Sequence, residues 1–176
     1  MGNSNNTTTN NKMLTGMFRD RESTENAYNA LHSKGYNQDE IHVLMSDDTR
    51  KKHFADEDSE IGTKAAEGLG KGSAIGGTVG AIAGIVAAIG TTLVIPGLGL
   101  VIAGPIAAGL AGAGAGGLTG GIIGALVGAG IPEERARIYE DGIKNGNVVL
   151  GVNPRNNEDA DYFHNNWKEN KGEEIY

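Results

Sequence analysis

A run of 61 residues without a charged side chain, Gly72 to Pro132, constrains this 176-residue chain more than any other feature. Charge is crowded on both sides of it, in the stretches DDTRKKHFADEDSE before it and EERARIYED after it. The run is rich in glycine, and each glycine in a helix interior costs about 1 kcal/mol relative to alanine. Contacts with a bilayer or with other copies of the chain must offset that cost.

Glycines recur at every fourth position in two rows. The rows are Gly68, Gly72, Gly76, Gly80 and Gly84, and then Gly112, Gly116, Gly120, Gly124 and Gly128. Residues four apart lie on one face of a helix, and a face without side chains lets helix backbones approach closely. We predict that these ten glycines are helix-packing residues of a glycine zipper. Gly104 continues the second row towards the N-terminus.

Helix breakers separate the two rows, in the sequence VIPGLG around Pro96. This spacing predicts a helical hairpin with arms Ala65–Ile95 and Leu100–Gly130. Each arm is long enough to cross a hydrocarbon core of about 30 Å. No aromatic residue between Phe54 and Tyr139 supplies the belts of a typical membrane span. The apolar tip fits a re-entrant membrane hairpin, which length and apolarity favour, or a hairpin buried in an oligomer.

The flanking segments carry the patterns of a small α/β domain. On the N-terminal side, KMLTGMF predicts a strand, Asp20 or Ser23 caps a helix that ends at Gly35, and IHVLM predicts a second strand. On the C-terminal side, Pro132 begins a helix, Gly146 ends it, and NVVLGV predicts a third strand. A last amphipathic helix is expected to dock its aromatic residues, Tyr162, Phe163 and Trp167, on the sheet.

These patterns predict an α+β fold in which a ferredoxin-like split domain, βαβ plus αβ, is interrupted by the glycine-zipper hairpin. The apolar segment is expected to replace one internal strand. The predicted boundaries are a disordered tail over 1–11, the N-terminal half and acidic linker over 12–60, the hairpin over 61–131, the C-terminal half over 132–154, and a helix and tail over 155–176.

Composition excludes several classes of function. The formal net charge is −7 without a lysine and arginine cluster, which argues against a nucleic-acid partner. There is no cysteine, and therefore no disulfide or thiolate metal site. The polar start, MGNSNNTTTNNK, is not a secretory signal, so a cytoplasmic start is expected.

No motif predicts catalysis, a cofactor or a metal. In GLGKGS, Gly72 separates the Gly-Lys pair from Ser73, so the phosphate-loop pattern fails. In GAGAGG, the dinucleotide-binding spacing of glycines is not preceded by a predicted strand. The four histidines lack metal-ligand spacing, and His53 with its acidic neighbours is better explained as a solvated linker. We therefore predict no catalytic, cofactor-binding or metal-binding residue, and no enzyme.

Two stretches of the chain resemble the bacterial general stress proteins that carry a heat-induced stress protein domain. The N-terminal one is MFRDRESTENAYNALHSKGYNQDEIHVL, and the second is the glycine-rich hairpin followed by GIPEERARIYEDGIKNGNVVLGV. The resemblance implies a stress-induced, non-enzymatic protein, often with a membrane-like glycine segment, and it supplies no catalytic residues.

The leading expectation is a stress protein that self-associates through its zippers at or in the cytoplasmic membrane, with membrane lipid as a second partner. The alternative is a soluble shell or filament whose interior is lined by the hairpins, in which case the protein is cytoplasmic. A ligand-binding regulator that uses the α/β domain is a third possibility, supported by fold analogy alone.

Overall fold

The structure, a computed structural model, describes residues 13–54, 93–95, 99–107 and 121–176. They form an α+β domain around one five-stranded sheet. The strands are β1 (Leu14–Phe18), β2 (Ile41–Ser46), β3 (Leu93–Ile95), β4 (Leu100–Ala103) and β5 (Val148–Val152). The helices are α1 (Arg21–Ser33), α2 (Asp47–Thr49), α3 (Gly121–Gly128), α4 (Glu133–Lys144) and α5 (Asn157–Glu169). A short 3-10 helix, Gln38–Glu40, precedes β2, and a π-helical turn, Arg50–Phe54, continues α2.

The sheet has the strand order β1-β5-β2-β4-β3, with every neighbouring pair antiparallel. Consequently β1 and β2, which α1 connects, run parallel to each other with β5 between them. In the same way β4 and β5 run parallel with β2 between them. Two βαβ units, each split by a strand of the other, therefore interlock in the middle of the sheet.

Helices cover both faces of the sheet. On one face α1 and α5 enclose a core with the largest buried aromatic side chains, including Tyr28, Tyr36 and Trp167. On the other face α3 and α4 pack on a second core around Leu44 and Val149. Burial on both faces explains why the strands are mostly apolar and do not alternate regularly with polar residues.

The predicted elements of both flanks are confirmed. The Asp20 carboxylate accepts the backbone N–H of Ser23 at 2.8 Å and begins α1, and Gly35 follows α1 with a φ of +78°. Pro132 directly precedes α4, and Gly146 follows it with a φ of +94°. Helix capping of this kind can be predicted from the sequence because it depends on residues only a few positions apart.

The predicted helical hairpin is wrong on both sides of its predicted turn, where the structure has strands. The predicted end of the first arm contains β3, and the predicted start of the second arm is β4, which is fully buried beside β2. The two strands form a β-hairpin inside the sheet of the domain. The run of β-branched and leucine side chains here fits a strand buried on both faces, which hydropathy alone does not separate from a buried helix. The apolar segment therefore supplies two strands and replaces none.

Other parts of the hairpin prediction fare differently. The end of the second arm is helical, as α3. Most of both arms and the N-terminal tail lie outside the described residues. In the last helix, Phe163 and Trp167 are buried as expected, whereas Tyr162 is exposed and its ring lies 4.4 Å from Nζ of Lys34. A helix of this length offers one narrow buried stripe, which leaves the neighbouring Tyr162 outside it.

Candidate functional site

Of the ten predicted zipper glycines, Gly124 and Gly128 are among the described residues, and both belong to α3. The helix buries Ile122, Ala125 and Leu126 against the sheet. Gly124 and Gly128 lie on the other side, where Gly128 is exposed. The other eight zipper glycines lie outside the described residues.

A small exposed patch surrounds Gly128. Val127 beside it is 43% exposed. A Cβ atom added to Gly128 would have no described heavy atom within 4 Å. Packing inside the described domain therefore gives no reason for a glycine at this position.

Gly104, which continues the second row, has a different role. Its φ is +92°, and an added Cβ would lie about 2.0 Å from the carbonyl oxygen of Ile41. The glycine lets the end of β4 pass close to the start of β2. Its presence is explained by a turn and a close approach of backbones, and not by helix packing.

The histidines are dispersed. His32 pairs with the hydroxyl of Tyr28 at 2.8 Å, His53 lies in the π-helical turn, and His164 is exposed on α5. Within the described ranges no three histidine or acidic side chains are grouped as a metal would require. The acidic neighbours of His53 in the sequence, residues 56–58, lie outside those ranges.

His42 is the polar side chain that the sequence reasoning missed. It is the second residue of β2 and 2% exposed, and its Nδ1 accepts the backbone N–H of Ile106 at 3.2 Å. Its Nε2 has no hydrogen-bond partner among the described residues. Burial lowers the pKa of His42 to about 4, so the ring is neutral at pH 7. Because Nδ1 accepts, the proton is on Nε2. No local sequence pattern announces this arrangement, since Ile106 is 64 residues away.

A polar cleft lies at the end of the sheet where β1 and β2 finish. Its volume is about 560 Å³. The lining residues are Arg19, Ser46, Asp48, Thr49, Lys52, His53, Gly99, Lys144, Asn145 and Gly146. They come from the residue after β1, the end of β2, α2 with its π-helical turn, the β3–β4 connection and the end of α4. Three lysine or arginine side chains and one carboxylate therefore line it, in a chain whose net charge is −7.

Hydrogen bonds hold the floor of the cleft in place. The hydroxyl of Ser46 accepts the backbone N–H of Thr49 at 3.0 Å, and the two hydroxyl oxygens are 2.7 Å apart. One hydroxyl donates to the other, so one O–H of the pair remains available to a ligand. Lys51 and Arg50 form ion pairs with Asp47, and their hydrogen bonds lower the pKa of the Asp47 carboxyl. Lys52 is the cation of this turn that lines the cleft.

No family model, curated protein or solved structure matches this chain. The resemblance to general stress proteins therefore remains a prediction. Within the described ranges, no helix combines the length and the apolar character needed to cross a bilayer.

Proposed function

We propose that this chain is a non-enzymatic stress-response protein that self-associates through its glycine-rich helical surfaces at the cytoplasmic face of the membrane. The sheet, in which the two split βαβ units interlock, would be the platform that carries those surfaces. The observation that carries the proposal is the orientation of α3. This helix buries Ile122 and Leu126 against its own domain, whereas Gly128 and the neighbouring Val127 are exposed.

The energetic argument concerns the glycine itself. A glycine costs up to about 1 kcal/mol relative to alanine in a helix, with the full cost in its interior, and no described atom around Gly128, the last residue of α3, requires the smaller residue. A second helix that approaches this face would require it, because a side chain at the position would hold the two backbones apart. The exposed Val127 beside it adds apolar surface that such a contact would bury.

Chain length favours the membrane surface over a span. Described residues of the domain stand on both sides of residues 55–92 and of residues 108–120, so a bilayer crossing by either stretch would have to return to the same side. Crossing a bilayer and returning takes about 40 helical residues. These two stretches of sequence contain 38 and 13 residues, and the first of them includes the charged residues before Gly72. We therefore place the association between copies of the chain, with lipid contact at the interface.

Substitution of Gly128 tests the proposal. The full-length protein is expected to be oligomeric in analytical ultracentrifugation, and Gly128→Leu should dissociate it. Gly128→Ala is the matched control. Alanine adds only a methyl group, so a second helix can still approach closely, and alanine and leucine both fit the described domain. Gly80→Leu tests the first row in the same way. A monomeric wild-type protein, or oligomers unchanged in both leucine variants, would overturn the zipper.

Vesicle flotation separates the two settings of self-association. Wild-type protein that floats with phosphatidylglycerol vesicles while remaining oligomeric supports the membrane surface. Oligomers that stay in the dense fraction overturn that location and favour the alternative, a soluble shell or filament. Unchanged Gly128→Leu oligomers would contradict both versions.

A further inference from the structure

We propose that the polar cleft at the end of β1 and β2 binds a phosphate group, either of a small phosphorylated molecule or of a lipid headgroup. This inference is independent of self-association, because the cleft lies at one end of the sheet and none of its lining residues belongs to α3.

Three cationic side chains reach the cleft from three separate segments: Arg19 after β1, Lys52 in the π-helical turn and Lys144 at the end of α4. A carboxylate on only one lining residue, Asp48, opposes them. The lining residues thus carry three positive charges and one negative charge, a balance that favours an anion over a cation. Three convergent cations from different elements match the several oxygens that a phosphate presents.

The cations are available for a ligand. Arg19 pairs with Glu173 at 2.8 Å, and Lys144 pairs with Glu140 at 3.2 Å, but both cationic side chains are at least 60% exposed. Exposed ion pairs contribute little to stability, so a phosphate can replace them at little cost. For Lys52, the described part of the chain contains no ion-pair partner.

Hydrogen bonds reduce the negative charge that the end of α4 presents to an anion. The carbonyl groups of its last turn already accept hydrogen bonds from the backbone N–H groups of Asn145, Gly146 and Asn147. The Asn145 side chain and the Ser46–Thr49 hydroxyl pair add neutral polar groups to the lining. A volume of about 560 Å³ accommodates a ligand the size of a phosphorylated metabolite.

The test uses inorganic pyrophosphate with the full-length protein at low ionic strength. Pyrophosphate should shift the amide resonances of Gly99 and Gly146, which line the cleft. Lys52→Gln should weaken binding by about fivefold or more, as expected for loss of one charge-assisted hydrogen bond. Lys168→Gln, on an exposed face of α5, removes the same charge and should leave the affinity unchanged. Absence of the shifts, or equal weakening by both variants, would overturn the site.

Two vesicle experiments identify the source of the phosphate. Binding to vesicles of phosphatidylcholine with phosphatidylglycerol that falls in Lys52→Gln, and is absent with phosphatidylcholine alone, supports a lipid headgroup. Pyrophosphate binding without Lys52-dependent vesicle binding supports a soluble ligand and overturns the headgroup. Lys52→Gln should sediment like the wild-type protein, so failure of the cleft and failure of self-association are distinguishable.

Discussion

The backbone N–H of Ile106 donates a hydrogen bond to Nδ1 of His42 at 3.2 Å, across 64 residues of sequence. It fastens the chain just beyond β4 to the centre of the sheet, where His42 is buried without a described partner for Nε2. Protonation of Nδ1 would break this bond and place a charge in an apolar core. In the described surroundings burial is the only cause that shifts the pKa of His42.

Stability should therefore fall between about pH 6.5 and pH 4. The pKa of His42 is about 4 in the folded protein and 6.5 in the unfolded chain, so the unfolded chain binds more protons in this interval. The stabilising effect is complete above pH 6.5 and is lost as the pH falls towards 4. The shift corresponds to about 3 kcal/mol as an upper value. Urea unfolding at a series of pH values measures it.

Two variants isolate this contribution. Asparagine at position 42 retains an acceptor near Nδ1 but does not titrate, so His42→Asn should flatten the profile in this interval at a lower absolute stability. His32→Gln is the control. Burial of part of the ring also lowers the pKa of His32, but the residue as a whole is exposed on α1, unlike His42. A profile that His42→Asn leaves unchanged would refute the assignment.

Gly104→Ala should destabilise the domain by about 3 kcal/mol or more. Its Cβ would collide with the carbonyl oxygen of Ile41, and alanine disfavours a φ of +92°. Gly128→Ala, also in the apolar segment, should be neutral or stabilising by up to about 1 kcal/mol. Thermal unfolding of the two variants compares them directly. Equal effects would contradict the distinct roles of these glycines.

Tyr139→Phe should cost about 1–3 kcal/mol. The Tyr139 hydroxyl donates to the carbonyl oxygen of Glu174 at 2.7 Å and lies 2.8 Å from the hydroxyl of buried Thr15. The substitution leaves the Thr15 hydroxyl without this acceptor and loosens the C-terminal residues that pair with β1. Tyr162→Phe, at an exposed ring, should have little effect. Urea unfolding of both variants tests the difference.

Replacing residues 108–120 with a glycine–serine linker of equal length should preserve a cooperatively folded domain. The replaced residues contribute no described strand, and an unchanged connection length keeps the loop-closure cost similar. Excision of residues 68–130 should instead abolish folding, because it removes β3, β4 and α3. Circular dichroism with thermal unfolding measures both. A folded excision product would show that these elements are dispensable.

The elements of the two flanks are predictable because their signals are local. Asp20 and Gly35 mark the ends of α1, and Pro132 and Gly146 mark those of α4. These residues act through capping and backbone conformation within a few positions of themselves. The α+β class follows from the order of such elements.

The cleft and the buried histidine depend on residues far apart in sequence. In the sequence nothing distinguishes Arg19, Lys52 and Lys144 from other surface cations. They line one cleft because β1, β2 and α4 end at the same side of the sheet. His42 is a buried acceptor because the fold brings the backbone N–H of Ile106 to its Nδ1. Cross-strand pairing and interlocking connections create both arrangements, and neither has a signature within a short stretch of sequence.

The sequence by itself determined that an uncharged, glycine-rich segment interrupts an α/β domain, since charge and residue spacing are properties of the chain alone. Tertiary structure decided what the middle of that segment becomes. The same apolar side chains can be buried by a helix or by a strand. A strand forms only where another strand has a free edge with which it can pair. In this protein β2 offers that edge and pairs with β4, so Leu100–Ala103 is a strand of the sheet and not part of a helical arm.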